Sequence, residues 1–153
     1  MATRSHIGIL NEDGTVDYIY CHWDGYPEGV GHTLSLHYTE ESKIRELIDL
    51  GSISYLRENI KPPYEHELAE GRVRGLLERF DPPPHHSFDS PLEGVTVAYH
   101  RDRGEELVKG TFRSKKLYYD PDGWIEYYYL FENGEWYVNE VKLSGYTQNM
   151  KIL

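Results

Sequence analysis

The stretch Trp124-Ile125-Glu126-Tyr127-Tyr128-Tyr129-Leu130-Phe131-Glu132-Asn133-Gly134-Glu135-Trp136-Tyr137-Val138-Asn139-Glu140-Val141 decides the fold. Two aromatic and β-branched runs flank Asn133-Gly134, a dipeptide that accepts the paired positive φ angles of a two-residue hairpin turn. The pattern predicts strands over 124–131 and 135–141. Trp124, Tyr127, Tyr129 and Phe131 carry too much aromatic surface for a lone surface strand. They are expected to pack across strands and against a helix.

Working outward, the N-terminal end repeats the motif. Ser5 to Leu10 and Val16 to His22 are β-prone runs around the turn cluster Asn11-Glu12-Asp13-Gly14, which predicts a second hairpin. Residues 23–31, with Gly25, Gly29, Gly31 and Pro27, read as a loop with a tight turn at Asp24-Gly25. A helix is expected to begin at His32 and run to Tyr38. A second follows over 40–50, capped by Thr39, with Ile44, Leu47 and Ile48 on one face and Gly51 at its C-terminal end.

Pro62-Pro63 breaks the chain. The stripe Leu68, Val73, Leu76, Leu77 and Phe80 predicts a helix over 65–80, against the cost of Gly71 and Gly75, each about 1 kcal/mol relative to Ala. Residues 81–94 form a Pro-rich loop, in which His85-His86 reads as solvated. Val95 to His100 alternates as a strand, Asp102-Arg103-Gly104 can turn it, and Glu106 to Phe112 can pair back. Strict β-α-β alternation is absent. The expectation is one α+β domain over 1–153, with a Pro-rich internal loop at 81–94. Its antiparallel sheet is built from the N- and C-terminal hairpins, with two or three helices packed on one face.

Bulk properties bound the function. The chain has 153 residues, 16 Lys and Arg against 26 Asp and Glu, a formal net charge of -10, 14 Tyr, 3 Trp and 1 Cys. No apolar run approaches the roughly 18 residues of a membrane span. The lone Cys21 excludes a disulfide scaffold, and no signal-peptide pattern opens the chain, so a reducing cytoplasm is the expected location. The acidic balance argues against direct nucleic-acid binding, which needs cations to neutralise phosphates. Charge is uneven along the chain. Residues 101–116 are rich in bases (Arg101, Arg103, Lys109, Arg113, Lys115, Lys116), whereas 117–141 hold acids and no base. That basic stripe can meet an anionic ligand or pair with the chain's own acidic hairpin.

The densest chemistry lies at Tyr20-Cys21-His22-Trp23-Asp24-Gly25-Tyr26-Pro27-Glu28-Gly29, a strand end and the loop beyond it. Cys21 could act as a nucleophile only with a base from elsewhere, such as His6, His32 or His37, because its neighbour His22 points to the opposite strand face. The plainer role for a lone Cys is a small buried apolar residue. His22, His32, His37, Asp24 and Glu28 offer metal donors, yet the i to i+5 spacing of His32 and His37 does not place both on one helical face, and no metal or cofactor motif occurs. The remaining reading is anion binding. Gly29-Val30-Gly31 leads into the expected helix start at His32, where free amides favour phosphate. Trp23 and Tyr26 could stack a base, His22 or His32 could donate to phosphate, Asp24 shapes the turn, and Arg113, Lys115 and Lys116 could add charge. Loop geometry alone also accounts for these glycines.

The run Ile7-Gly8-Ile9-Leu10-Asn11-Glu12-Asp13-Gly14, followed by Ile19-Tyr20-Cys21-His22-Trp23-Asp24-Gly25-Tyr26-Pro27, resembles the opening of a family of small, largely uncharacterised proteins of tailed bacteriophages and prophages. The ending around Asn133-Gly134-Glu135-Trp136-Tyr137 is similar to that family as well, while residues 60–115 offer nothing to match. The resemblance implies action in the bacterial host cytoplasm and supplies no catalytic residues. By genomic analogy it implies an anti-defence role. The expected activity is non-catalytic sequestration of a small phosphorylated, nucleotide-like ligand without a cofactor. The alternatives are an acidic, DNA-imitating inhibitor of a host defence protein and a Cys- or metal-dependent hydrolase. Exposed aromatic strands also suit a homo-oligomer.

Overall fold

The computed structural model describes residues 2–62, 86–121, 123–141 and 150–151. The helix expected over 65–80, and 81–85 of the Pro-rich loop, lie outside them. The fold class is α+β. Among the described residues, eight strands form one sheet: β1 (Ser5–Leu10), β2 (Val16–Cys21), β3 (Ile53–Tyr55), β4 (Val97–Ala98), β5 (Gly110–Phe112), β6 (Tyr127–Glu132), β7 (Glu135–Glu140) and β8 (Met150–Lys151). Their order is β4-β3-β2-β1-β6-β7-β8, with β5 also paired to β2.

Both expected hairpins are present. In the first, Ile7 pairs with Ile19 and His6 with Tyr20. In the second, Asn133 and Gly134 take φ of 51° and 77°, the paired left-handed conformation their types allow, and Phe131 pairs with Trp136. The sheet is mixed rather than purely antiparallel. The hairpins join through a parallel contact of β1 with β6, Ile7 opposite Tyr129, and β2 meets β3 in parallel at Cys21 and Ile53. Side-chain alternation has the same period in both directions, so it cannot report strand polarity.

One sheet face packs Ile7, Ile9, Ile19, Tyr129, Phe131, Trp136 and Val138 against α1 (His32–His37) and α2 (Glu41–Asp49), which contribute Leu34, Ile44, Leu47 and Ile48. Polar atoms buried there are paired: the Trp136 Nε1–H donates to the Tyr38 carbonyl at 2.8 Å, and the Tyr129 hydroxyl donates to that of Gly25 at 2.6 Å. Helix α2 ends at Gly51, as expected, with φ of 76°. Its N-cap is Glu40 rather than Thr39, with no side-chain capping bond. The other face carries Val16, Tyr118, Ile125, Tyr128 and Leu130, with Tyr18, Tyr20 and Phe112 packed on them. Tyr118 comes from the short α4 (Lys115–Tyr118), capped by Ser114, whose Oγ accepts from the Leu117 amide.

The reading of 95–112 needs correction. The strand expected over Val95–His100 is confined to Val97–Ala98, and the chain turns at once into α3 (Tyr99–Arg103), which ends at Gly104 with φ of 75°. The Asp102 carboxylate accepts from the Ala98 amide at 2.8 Å and so seeds that turn. The segment expected to pair back instead forms β5 on β2, with Phe112 opposite Val16.

Candidate functional site

The open cleft lies on the second face, just beyond the first hairpin's His6–Tyr20 pair. It is a space of about 380 Å³ lined by Arg4, His6, Tyr20, Trp124 and Ile125. Three local facts build it. Strand register sets His6 beside Tyr20 on β2 and Tyr128 on β6, so an imidazole stands between two phenols. Arg4 precedes β1, and its carbonyl accepts from the Glu126 amide, which ties the segment before β1 to the segment before β6. That tie brings the guanidinium over the Trp124 ring, 5.6 Å from its centre. The Trp124 indole is 77% exposed, the most exposed large apolar side chain among the described residues, whereas Ile125 beside it is buried.

The polar side of the cleft is a short relay. Arg4 faces both the Tyr20 hydroxyl and the His22 ring. The Tyr20 oxygen lies 2.6 Å from His22 Nδ1. With a cation on one side, the hydroxyl accepts from Arg4 and donates to His22, which leaves His22 Nδ1 unprotonated. Burial, then the Arg4 charge, holds the imidazole below its usual value. Burial raises the Tyr20 hydroxyl, with Arg4 opposing. Near neutral pH the cleft therefore presents the Arg4 cation, the Tyr20 phenol backed by a neutral His22, and an exposed indole.

The loop chosen from sequence packs differently from the amide-lined receptor expected there. Pro27–Gly31 is one π-helical turn that runs straight into α1. Three amides here are taken: Gly29 donates to the Tyr26 carbonyl, Val30 to that of Asp24, and His32 to those of Gly29 and Pro27. The glycines serve close packing. A side-chain carbon at Gly29 would stand 2.4 Å from the Asp24 carbonyl oxygen, and one at Gly31 would stand 3.2 Å from the Tyr129 ring. Asp24 takes the left-handed φ of 58° and accepts from the Tyr26 hydroxyl at 3.2 Å. Trp23 is half-buried and stacks on Tyr55, ring centres 5.9 Å apart, so its partner is the protein's own phenol. His32 is exposed on α1. Of the loop residues named from sequence, His22 alone reaches the cleft, through Tyr20.

Arg113, Lys115 and Lys116 do not join it. They follow β5, which pairs with the Val16 end of β2, whereas His22 lies beyond the Cys21 end. Six strand residues separate those ends by roughly 17 Å at ~3.4 Å per residue. Lys115 is bound to Glu132 at 2.7 Å, and Lys109 to Asp49 at 3.1 Å. The basic stripe thus pairs substantially with the chain's own acids. Among the acids of the last hairpin, Glu132 is so engaged, and Glu140 and Glu135 accept from the hydroxyls of Tyr127 and Tyr137.

Two other sequence features resolve as scaffold. Cys21 is fully buried, its thiol is pushed up to about 12 by desolvation, and its Sγ lies 3.5 Å from the Trp23 carbonyl. It carries no thiolate near neutral pH. His86, expected to be solvated, has a side chain only 6% exposed. The Leu92 amide donates to its Nδ1 at 3.0 Å, so Nε2 holds the proton and faces Asp102 at 3.2 Å and the Thr96 carbonyl. Both ring nitrogens are occupied inside the fold. Among the described residues, no three His, Cys, Asp or Glu side chains gather as metal donors, and no helix is long and apolar enough to cross a membrane.

Sequence reasoning missed Arg4, Trp124 and Ile125 as cleft residues, and it considered His6 only as a distant base. The predicted hairpin held only part of the signal: centring its turn on residues 11–14 sets His6 opposite Ile19, whereas the observed loop runs one residue longer, with Leu10 opposite Val16 and His6 opposite Tyr20. The meeting of the segments before β1 and β6 depends on the parallel contact. No known family matches the chain, and neither does any curated protein or solved structure.

Proposed function

We propose that the protein binds and sequesters a small phosphorylated, nucleotide-like ligand without transforming it, and that the ligand sits in the Arg4–Tyr20–Trp124 cleft. The observation that carries this reading is the adjacency of one guanidinium and one exposed indole on the wall of a cleft of mononucleotide size, about 380 Å³. Arg4 supplies forked donors for phosphate, Tyr20 a hydroxyl, and Trp124 a face for a base. The resemblance to phage proteins supports a nucleotide signal of host anti-phage defence as the ligand, and the host cytoplasm as the place of action. Sequestration needs slow release, which stacking combined with charge-assisted hydrogen bonds favours.

Titration with a panel of nucleotides, followed by calorimetry and indole emission, tests the proposal. Saturable binding with quenched emission is expected. Trp124→Ala should remove most of the quench and weaken binding by about 1–3 kcal/mol. The indole is exposed, so this variant should fold as the parent does. Absence of binding across the panel, or affinity unchanged in both Trp124→Ala and Arg4→Gln, rules the cleft out.

A further inference from the structure

We infer that the guest of this cleft carries a single negative charge beside one planar ring, the chemistry of a cyclic nucleoside monophosphate, whose phosphodiester is a monoanion. The inference rests on the reading of the cleft as a ligand site and narrows its ligand.

Charge matching is the first argument. Among the described residues lining the cleft, Arg4 is the sole Lys or Arg. The neighbouring His22 is held toward its neutral form, so it adds no second charge near neutral pH. Arg113, Lys115 and Lys116 lie at the opposite end of β2. A guest with one charge is matched by one guanidinium. A phosphomonoester carries about two negative charges, and a triphosphate more. The surplus would meet no counter-charge among the described lining residues. The protein's net charge of -10 adds a repulsive field that grows with the charge of the guest.

Shape is the second. A space of about 380 Å³ suits one base with one sugar phosphate, and a dinucleotide would extend beyond it. The Trp124 face is 77% exposed, while Arg4 lies over the ring at 5.6 Å. Guanidinium and indole are therefore adjacent, as they must be for a base and a phosphate joined rigidly through one ribose. A cyclic diester fixes that separation in advance, which lowers the ordering cost of binding. The Tyr20 hydroxyl, bonded to His22, marks the polar end of the cleft.

Calorimetry at constant ionic strength with adenosine 3′,5′-cyclic monophosphate, AMP, ATP and adenosine tests this. The cyclic diester should bind about tenfold or more tightly than ATP and than adenosine. Arg4→Gln should bring it down to the level of adenosine, and Trp124→Ala should weaken every ring-bearing ligand by a similar factor. If AMP or ATP binds as tightly as the cyclic diester, and both variants still weaken it, the single-charge inference is overturned while the cleft reading stands. If none of the four binds, or neither variant changes the affinity, both fall together.

Discussion

At the scale of single residues, the second face is organised by an absence. Gly8 lies on β1 beneath Tyr118, and a side-chain carbon there would approach the Tyr118 ring and Val16 Cγ1 to 2.9 Å. The missing side chain lets the phenol close on the sheet, where it is fully buried and donates to the Tyr129 carbonyl. Gly8→Ala should therefore cost about 1–3 kcal/mol by overpacking, although alanine suits a strand better than glycine. Urea unfolding checks this. A stabilised Gly8→Ala protein would show that the ring can move at no cost. Sequence reading could not have assigned this role, because nothing local marks Gly8 as the partner of a ring 110 residues away. The same limit hid the cleft: Arg4 and Trp124 are ordinary surface residues until β1 and β6 stand side by side. His6 and Tyr20 depend on one turn alone, yet reading it as 11–14 rather than 11–15 slips the register by one residue and sets His6 opposite Ile19.

At the scale of elements, the two hairpins were legible because their turn residues act locally. Asn133-Gly134 fixes strand pairing through its own φ angles. The segment 95–104 was illegible because capture of a backbone amide by a side chain four residues on, rather than alternation, decides it. Val95 to His100 alternates as a strand does, yet the Asp102 carboxylate captures the Ala98 amide and two bonds from Arg101, at 2.8 and 3.0 Å, while His86 closes the other side. Burial raises the Asp102 carboxyl, but the Arg101 guanidinium, the Ala98 amide and His86 outweigh it, so the group lies below its usual value. Its contribution to stability is thus complete above the unfolded carboxylate value, near 3.8, and is lost as pH falls through the lower folded one. Asp102→Ala should cost about 3 kcal/mol near neutral pH, since it removes the counter-charge of Arg101 and the acceptor of the Ala98 amide in a site where Asp102 is only 4% exposed. Its deficit relative to the parent should shrink below pH 4. Parallel acid titrations followed by circular dichroism measure both effects, and a deficit constant with pH would assign the loss to packing alone.

At the scale of the whole molecule, charge sets how the fold responds to salt, and two effects compete. The net charge of -10 strains the compact state by self-repulsion, and salt relieves it. The partly exposed pairs Arg45–Asp17, Lys109–Asp49 and Arg103–Glu105 weaken in salt. Such pairs contribute about 0–1 kcal/mol each, and each lies within the reach of a single contact. Repulsion among 26 acids acts across the surface, over distances comparable to the Debye length, which falls from about 30 Å at 0.01 M to about 8 Å at 0.15 M salt. Screening therefore removes more repulsion than attraction. The buried network around Asp102 lies largely outside its reach. Raising sodium chloride from 0.01 M to 0.15 M should raise the melting temperature by about 2–4 °C, the shift that about 1 kcal/mol produces at this size. Scanning calorimetry at the two salt concentrations decides between the terms. A melting temperature that falls with salt would mean that the surface ion pairs, rather than the net charge, dominate the electrostatics of the fold.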